Sequence, residues 1–246
     1  MSAKRRLTKR TRDRVEKETD YLMNTRFAMK RIEPMTRNQR NLFEEYADGQ
    51  NLLAIGSAGT GKTYISLYLA IKDVMDRNDY KEVIIIRSSV QSREQGHMPG
   101  NDKEKMSHFE APYTDIVNDL FERGDAYTIM KQKGMIRFMS TSFIRGLTFD
   151  NALIIVDECQ NMRLDELRTI ITRVGEGSRI IFCGDTRQDD LECSKNRMDV
   201  SGLRRFKMVL DKMSCFTTIQ FNVDDIVRSG LVKEFIIAEE ELELVA

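Results

Sequence analysis

LLAIGSAGTGKTYISLYLAIKDVMD, residues 52–76, decides how the rest of the chain is read. It opens with four apolar residues, LLAI, a run short enough for a buried strand. It then passes through Gly56, Ser57, Ala58, Gly59, Thr60, Gly61, Lys62 and Thr63 and continues with the apolar period of a helix. That octapeptide satisfies G-x-x-x-x-G-K-[ST] in full, and both flanks are what the motif requires. Glycines let the backbone curl so that successive amides face phosphate oxygens, while the following helix presents its positive N-terminus. Lys62 is then placed to reach the β and γ phosphates as a mobile point charge, and the Thr63 hydroxyl to ligate magnesium. The stretch reads as a site for a nucleoside triphosphate, ATP with Mg2+, and for its hydrolysis.

Outward from this stretch the strand pattern repeats at VIII (83–86), IRFM (136–139), LIIV (153–156), IIFC (180–183) and FTTIQF (216–221). Helical patterns fall at 63–76, 112–123, 164–173 and 202–212. Apolar strands alternating with amphipathic helices are the signature of βαβ units, so the expected class is α/β, three layers around a mainly parallel sheet. Residues 88–111 carry Gly96, Pro99 and Gly100 among charges and read as a long loop of the functional kind.

A phosphate-binding loop needs a partner carboxylate for its metal, and LIIVDE supplies one. Its four apolar residues put Asp157 at the C-terminal end of a buried strand, as a magnesium ligand acting directly or through water. Glu158 is expected on the opposite side of the strand, placed to polarise the attacking water. Two adjacent carboxylates ending an apolar strand cost desolvation free energy unless a cation offsets it. A base beside the metal ligand favours water as nucleophile, hence an ATPase over a small-molecule kinase. After the next strand, IIFCGDTRQ brings Gly184, Asp185 and Gln188 to the same sheet edge, where ligands bind in open α/β folds. Gln188 is a candidate for sensing the γ-phosphate. The Gln39 amide could both donate to and accept from an adenine edge, although a lone Gln on a helix is ordinarily a surface residue. Arg145, Arg173 and Arg228 are candidates for neutralising charge on the γ-phosphate, and spacing does not choose among them. No guanine-reading N-K-x-D element is present, which favours ATP.

The balance of 39 basic and 39 acidic residues hides an asymmetry. Lys4, Arg5, Arg6, Lys9, Arg10, Arg12 and Arg14 crowd the start against Asp13 alone, whereas Glu239, Glu240, Glu241 and Glu243 crowd the end. The reading divides the chain into a basic arm (1–33), a core (34–238) and an acidic tail (239–246). Such an arm can neutralise the phosphates of RNA or single-stranded DNA, or it can be a solvated terminus. With 246 residues and no long apolar run, the expectation is one domain, cytoplasmic, with no membrane span or secretory signal. Cys159, Cys183, Cys193 and Cys215 lie far apart, and His97 and His108 are the only histidines. Buried or neutral thiols are therefore expected rather than a zinc site.

Taken together, GSAGTGKT, RSSV (87–90), EQGHMPGNDKEKM (94–106), PYTDI (112–116), SFIRGLTFDNALIIVDECQN (142–161), ITRVGEGS (171–178) and GDTRQDDL (184–191) resemble the PhoH family of P-loop ATPases, in order and in spacing. The resemblance covers roughly residues 36–235. It implies a RecA-like core related to superfamily one helicases, with Asp157, Glu158 and Gln160 as its DE-x-Q element. It also implies that Gln39 reads adenine, that Gln188 senses the γ-phosphate and that Arg228, in IVRSGLVKEF, is the arginine finger. The family tends to form homo-oligomeric rings, so that finger is expected to act on its own or on a neighbour's nucleotide. Ser88 stands where the family usually has proline, no appended nuclease-like or RNA-binding domain is expected, and a short member with a basic arm is similar to bacteriophage-encoded versions. The function implied is an Mg-dependent ATPase associated with nucleic acid, a helicase only if it self-associates. The alternative is a nucleotide-gated binding module with slow hydrolysis.

Overall fold

The computed structural model describes residues 28–76, 79–88, 102–185 and 202–242. Six parallel strands form one sheet: β1 (Asn51–Gly56), β2 (Glu82–Arg87), β3 (Ile136–Ser140), β4 (Ala152–Asp157), β5 (Arg179–Gly184) and β6 (Phe216–Phe221), in the order β3-β2-β4-β5-β1-β6. All six strands read from the apolar runs are present. In β1, β2, β4 and β5 every residue after the first or before the last is buried, the continuous hydrophobic pattern of a sheet covered on both faces.

Alternation along each strand divides the core in two. Leu52 and Ala54 of β1 face one cluster, with Ile65, Leu67 and Ile71 of α2 (Lys62–Asp76). The same cluster takes Leu42 and Tyr46 of α1 (Arg37–Ala47) and Tyr113, Val117 and Leu120 of α3 (Asp102–Leu120). Leu53 and Ile55 face the second cluster, against Leu167 and Ile170 of α5 (Leu164–Ile171) and Leu203, Phe206 and Leu210 of α6 (Leu203–Leu210). Helices on both faces of a parallel sheet give the three-layer RecA-like arrangement. The strand order matters for function, because it places β5 between β1 and β4 and so gathers three C-terminal strand ends along one edge.

Three features depart from the sequence reading. Residues from Asp102 onward are helical rather than part of a loop, and α3 carries Pro112 in its interior instead of at its first turn. Proline favours a helix start because it lacks an N–H, but here burial of Tyr113, Val117 and Leu120 outweighs the one lost backbone bond. The short α4 (Ala126–Gln132) has too few residues to declare a period, and α7 (Gly230–Glu241) extends into the stretch set apart as an acidic tail. At the other end Met29 and Ile32 pack on the first cluster, and Lys30 N–H donates to Leu120 O at 2.9 Å. The basic residues from Lys4 to Arg14, and most of the 88–111 stretch before Asp102, lie outside the described residues. Cys159 and Cys183 are buried, and burial pushes the Cys183 thiol up to about 12. Cys215 is exposed, and Cys193 lies outside the described residues.

Candidate active site

The C-terminal ends of β1, β4 and β5 open into a crevice of about 700 Å³, within the range of ligand sites. Its floor is the loop joining β1 to α2. Gly56 has φ +130°, and a Cβ there would sit 1.9 Å from Phe221 O, because β6 runs alongside at that register. Gly59 (φ +72°) and Gly61 (φ +81°) turn the chain back toward the helix. Lys62 is the first residue of α2 and is only 8% exposed. Its ammonium donates to Gly56 O at 2.8 Å, Ser57 O at 2.6 Å and Thr60 Oγ1 at 3.2 Å, which uses all three of its protons on the loop. Burial lowers its pKa, against the opposing pull of Asp185, Cys183, Glu158 and Asp157. Ala58 lines the crevice, while Ser57 and Thr60 are buried beneath it, Thr60 Oγ1 donating to Ser57 O at 3.0 Å.

Gln39 is fastened to this loop. Thr36 caps α1, and one turn later Gln39 Nε2 donates to Thr60 O at 3.0 Å while its Oε1 accepts from Met35 N–H at 2.7 Å. The side chain is 3% exposed, not the surface residue that spacing alone would suggest. By inventory one N–H and one lone pair of the amide remain for a ligand.

The acidic partner comes from β4. Thr63 Oγ1 donates to Asp157 Oδ1 at 2.7 Å, and Tyr113 OH donates to Asp157 Oδ2 at 2.8 Å, so both carboxylate oxygens are held. Glu158 was expected on the opposite side of the strand. It instead leaves the strand with left-handed backbone (φ 54°, ψ 41°), which ends the pleat and lets both carboxylates line one crevice. Gln160 Nε2 donates to Glu158 Oε2 at 2.6 Å, while Gln160 Oε1 accepts from Asp185 N–H at 2.9 Å. This amide fixes the Glu158 carboxyl relative to the end of β5. Burial, and then the neighbouring Asp157, push the Glu158 carboxyl above the usual carboxylate range, with Arg87 pulling the other way. A raised carboxyl pKa makes the carboxylate a better proton acceptor.

Of Arg145, Arg173 and Arg228, only Arg228 lines the crevice. Val227 N–H donates to Gly59 O at 3.1 Å, and a Cβ on Gly59 would approach Arg228 Cγ to 2.7 Å, so this residue lies against the loop of its own chain. Arg173 Nη1 donates to Leu147 O at 3.4 Å, and Arg145 is exposed; neither lines the crevice. Gly184 and Asp185 do line it, and Gln188 lies outside the described residues.

Sequence reasoning missed Tyr113 and Arg87. Arg87 ends β2, registers with Asp157 across the sheet and lies 5.6 Å from the Phe109 ring centroid. Both belong to motifs quoted above, RSSV and PYTDI, but nothing in their spacing points at β4. The segment before α1 also lines the crevice, through Arg31, Ile32, Glu33 and Met35, although most of it was assigned to the arm.

The donor set fits a magnesium nucleotide. Thr63 and Asp157 offer hard oxygens, and among the described residues no three His, Cys, Asp or Glu side chains gather elsewhere into a metal cage. An ion here would complete its shell with phosphate oxygens and water, which is how magnesium is usually held. Among the described residues no helix is long and apolar enough to cross a membrane.

Several known proteins are similar to this chain. The family model described as PhoH-like protein matches residues 31–240. A PhoH-like protein of Mycobacterium leprae (strain TN) is 29% identical over 215 residues, covering 87% of this chain and 60% of the relative. One from Bacillus subtilis (strain 168) is 31% identical over 208 residues, covering 84% of this chain and 63% of the relative. The chain thus spans about three fifths of the length of these relatives. Among solved structures, the large terminase of a thermophilic bacteriophage, in complex with ADP, covers 82% of this chain and 49% of its own at 14% identity, with a TM-score of 0.47.

Proposed function

The chain belongs to the PhoH-like protein family, and from that premise we propose that it binds ATP with magnesium in the crevice and hydrolyses it. It is a P-loop protein of the nucleotide-hydrolase class. The observation that carries the finer reading is the bond from Thr63 to Asp157, which joins the phosphate-binding loop to the acidic strand with Glu158 alongside.

In this reading Gly56, Ser57, Ala58, Gly59, Thr60 and Gly61 wrap the phosphates, and Lys62 exchanges its loop carbonyls for phosphate oxygens. Thr63 and Asp157 would hold the magnesium, whose positive charge would offset that of the phosphates. Glu158 takes the proton of the attacking water, its carboxylate oriented by Gln160. Gln39 ties the adenine side of the crevice to the loop through Thr60. Gln188 keeps its proposed role as γ-phosphate sensor. Arg228 lends positive charge to the developing transition state from within the same chain.

We extend the proposal to RNA or single-stranded DNA as the partner that stimulates hydrolysis, with strand movement coupled to self-association. The basic residues between Lys4 and Arg14 support the nucleic-acid part, since such a cluster neutralises phosphates whatever the sequence. The test is steady-state ATP hydrolysis with and without each polynucleotide, with Glu158→Gln measured in parallel. Hydrolysis that is stimulated in the parent and lost in the variant supports the proposal. Equal rates in the two proteins would remove Glu158 from the reaction and leave a nucleotide-gated binding module.

A further inference from the structure

Helix α3 is tied to the crevice at two points. Tyr113 OH donates to Asp157 Oδ2 at 2.8 Å. Two turns later Asp119 Oδ2 accepts from Tyr64 OH at 2.7 Å and from Lys30 Nζ at 2.6 Å. Tyr64 directly follows Thr63, and Thr63 in turn donates to Asp157 Oδ1 at 2.7 Å. The contacts therefore close a ring, from Asp157 through Thr63 and Tyr64 to Asp119, along α3 to Tyr113 and back to Asp157. Ile116, between the two anchors on the helix, lines the crevice itself.

The two hydroxyls divide the work on the carboxylate. A carboxylate at the end of a strand is free to turn about its terminal torsion, because such sp³–sp² rotations are soft. With Oδ2 held by Tyr113, Oδ1 stays directed at Thr63 and the mouth of the loop. Tyr113 is 1% exposed and its ring packs 5.5 Å from that of Phe138 on β3, so the hydroxyl is held rigidly from the sheet side.

From this geometry we infer that Tyr113 is a positioning residue for the magnesium carboxylate: its hydroxyl sets the orientation of Asp157, and α3 carries that orientation to the rest of the crevice. The inference rests on the nucleotide reading above but assigns a role that reading does not contain. Tyr113 does not line the crevice; it acts through Asp157.

Tyr113→Phe removes the hydroxyl and leaves the ring. A fluorescent ATP analogue is titrated into parent and variant, once in EDTA and once over a range of Mg2+. The expected result is unchanged affinity in EDTA, and roughly three- to tenfold more Mg2+ needed for half-maximal tight binding, the scale of one typical net hydrogen bond. A variant with the parent's Mg2+ dependence would overturn the inference. So would a variant that loses affinity equally with and without Mg2+, because that marks a structural role only. If the parent itself binds no nucleotide, the functional reading fails and the inference with it. Asp119→Asn, which loosens the far anchor, should shift the Mg2+ requirement in the same direction by a smaller factor.

Discussion

The Thr63 hydroxyl donates to Asp157 Oδ1 at 2.7 Å, a bond that spans 94 positions of sequence and joins the first turn of α2 to the last residue of β4. Two residue types that bind hard cations meet here. Asp157→Asn keeps an acceptor for Thr63 but removes the charge. Hydrolysis should fall by about 100-fold or more, the scale seen when an electrostatic partner of the transition state is lost. Chelating Mg2+ should do the same to the parent and almost nothing further to the variant. A coupled phosphate-release assay with and without EDTA reads both effects.

Glu158→Gln should separate binding from chemistry. The amide cannot accept the proton of water, while its size matches that of the half-buried carboxyl beside Gln160. Nucleotide affinity should stay within about threefold of the parent, and kcat should fall roughly 100-fold or more, the contribution of a positioned base. Equilibrium binding set beside single-turnover hydrolysis gives the split. A parallel loss of affinity would mean that Glu158 holds the nucleotide instead.

Two glycines of the loop should differ in what they tolerate. At Gly56 a Cβ meets backbone, Phe221 O at 1.9 Å, and φ is +130°. Neither β1 nor β6 can yield without breaking their ladder, so Gly56→Ala should cost more than about 3 kcal/mol and leave little folded protein. At Gly59 the nearest atom is Arg228 Cγ, at 2.7 Å, on a flexible side chain, and φ is +72°. Gly59→Ala should cost about 1–2 kcal/mol from backbone strain while displacing Arg228. Urea denaturation distinguishes the two.

Asp225 offers a pH-dependent test of how the crevice rim is held. Its Oδ2 accepts from Asn38 Nδ2 at 2.7 Å and from Asn222 N–H at 3.0 Å, pinning the start of α1 to the turn after β6. Burial pushes this carboxyl up, but hydrogen bonds from Thr36, Asn222 and Asn38 outweigh it and hold the value below the ordinary 3.8. A depressed folded value contributes stability that is present above pH 3.8 and fades as pH falls through the lower folded value. Asp225→Ala should lower stability by about 1–2 kcal/mol at neutral pH. The gap to the parent should narrow below pH 3.8, as seen in melting temperatures across an acid series.

What the sequence made legible follows from how local each signal is. The strands could be read because burial on both faces makes each a continuous apolar run, and Gly56 to Thr63 because the loop's chemistry needs fixed residues at fixed spacing. Asp157 and Glu158 followed from the strand end. Residues that act through space gave no such signal. Tyr113 reaches Asp157 across 44 positions and Gln39 reaches Thr60 across 21, and no period in the sequence couples them. The start of α3 was hidden by Pro112, a residue that marks a helix start in isolation but is overridden by a buried face. Glu158 was assigned to the wrong side of the strand because alternation was carried one residue past the point where left-handed backbone ends it.

The arrangement at Arg228 bears on whether one chain completes its own site. A finger that served a neighbour would have to point away from its own loop. Here Val227 N–H is bonded to Gly59 O at 3.1 Å, and the Arg228 side chain passes close enough to Gly59 to exclude a methyl group. On this geometry we propose that the arginine serves the crevice of the chain that carries it. Arg228→Ala should lower kcat by about 1,000-fold, the lower range for an arginine finger, with little change in KM. The deciding experiment mixes Arg228→Ala with Lys62→Ala, each inactive alone. If the arginine acts within its own chain, every molecule in the mixture lacks either the arginine or the lysine, and no activity returns. If it acts on a neighbour, mixed assemblies contain sites with both an intact Lys62 and a donated Arg228, and activity recovers in proportion to their number. Recovery would overturn the assignment within one chain, and its dependence on protein concentration would then measure the assembly.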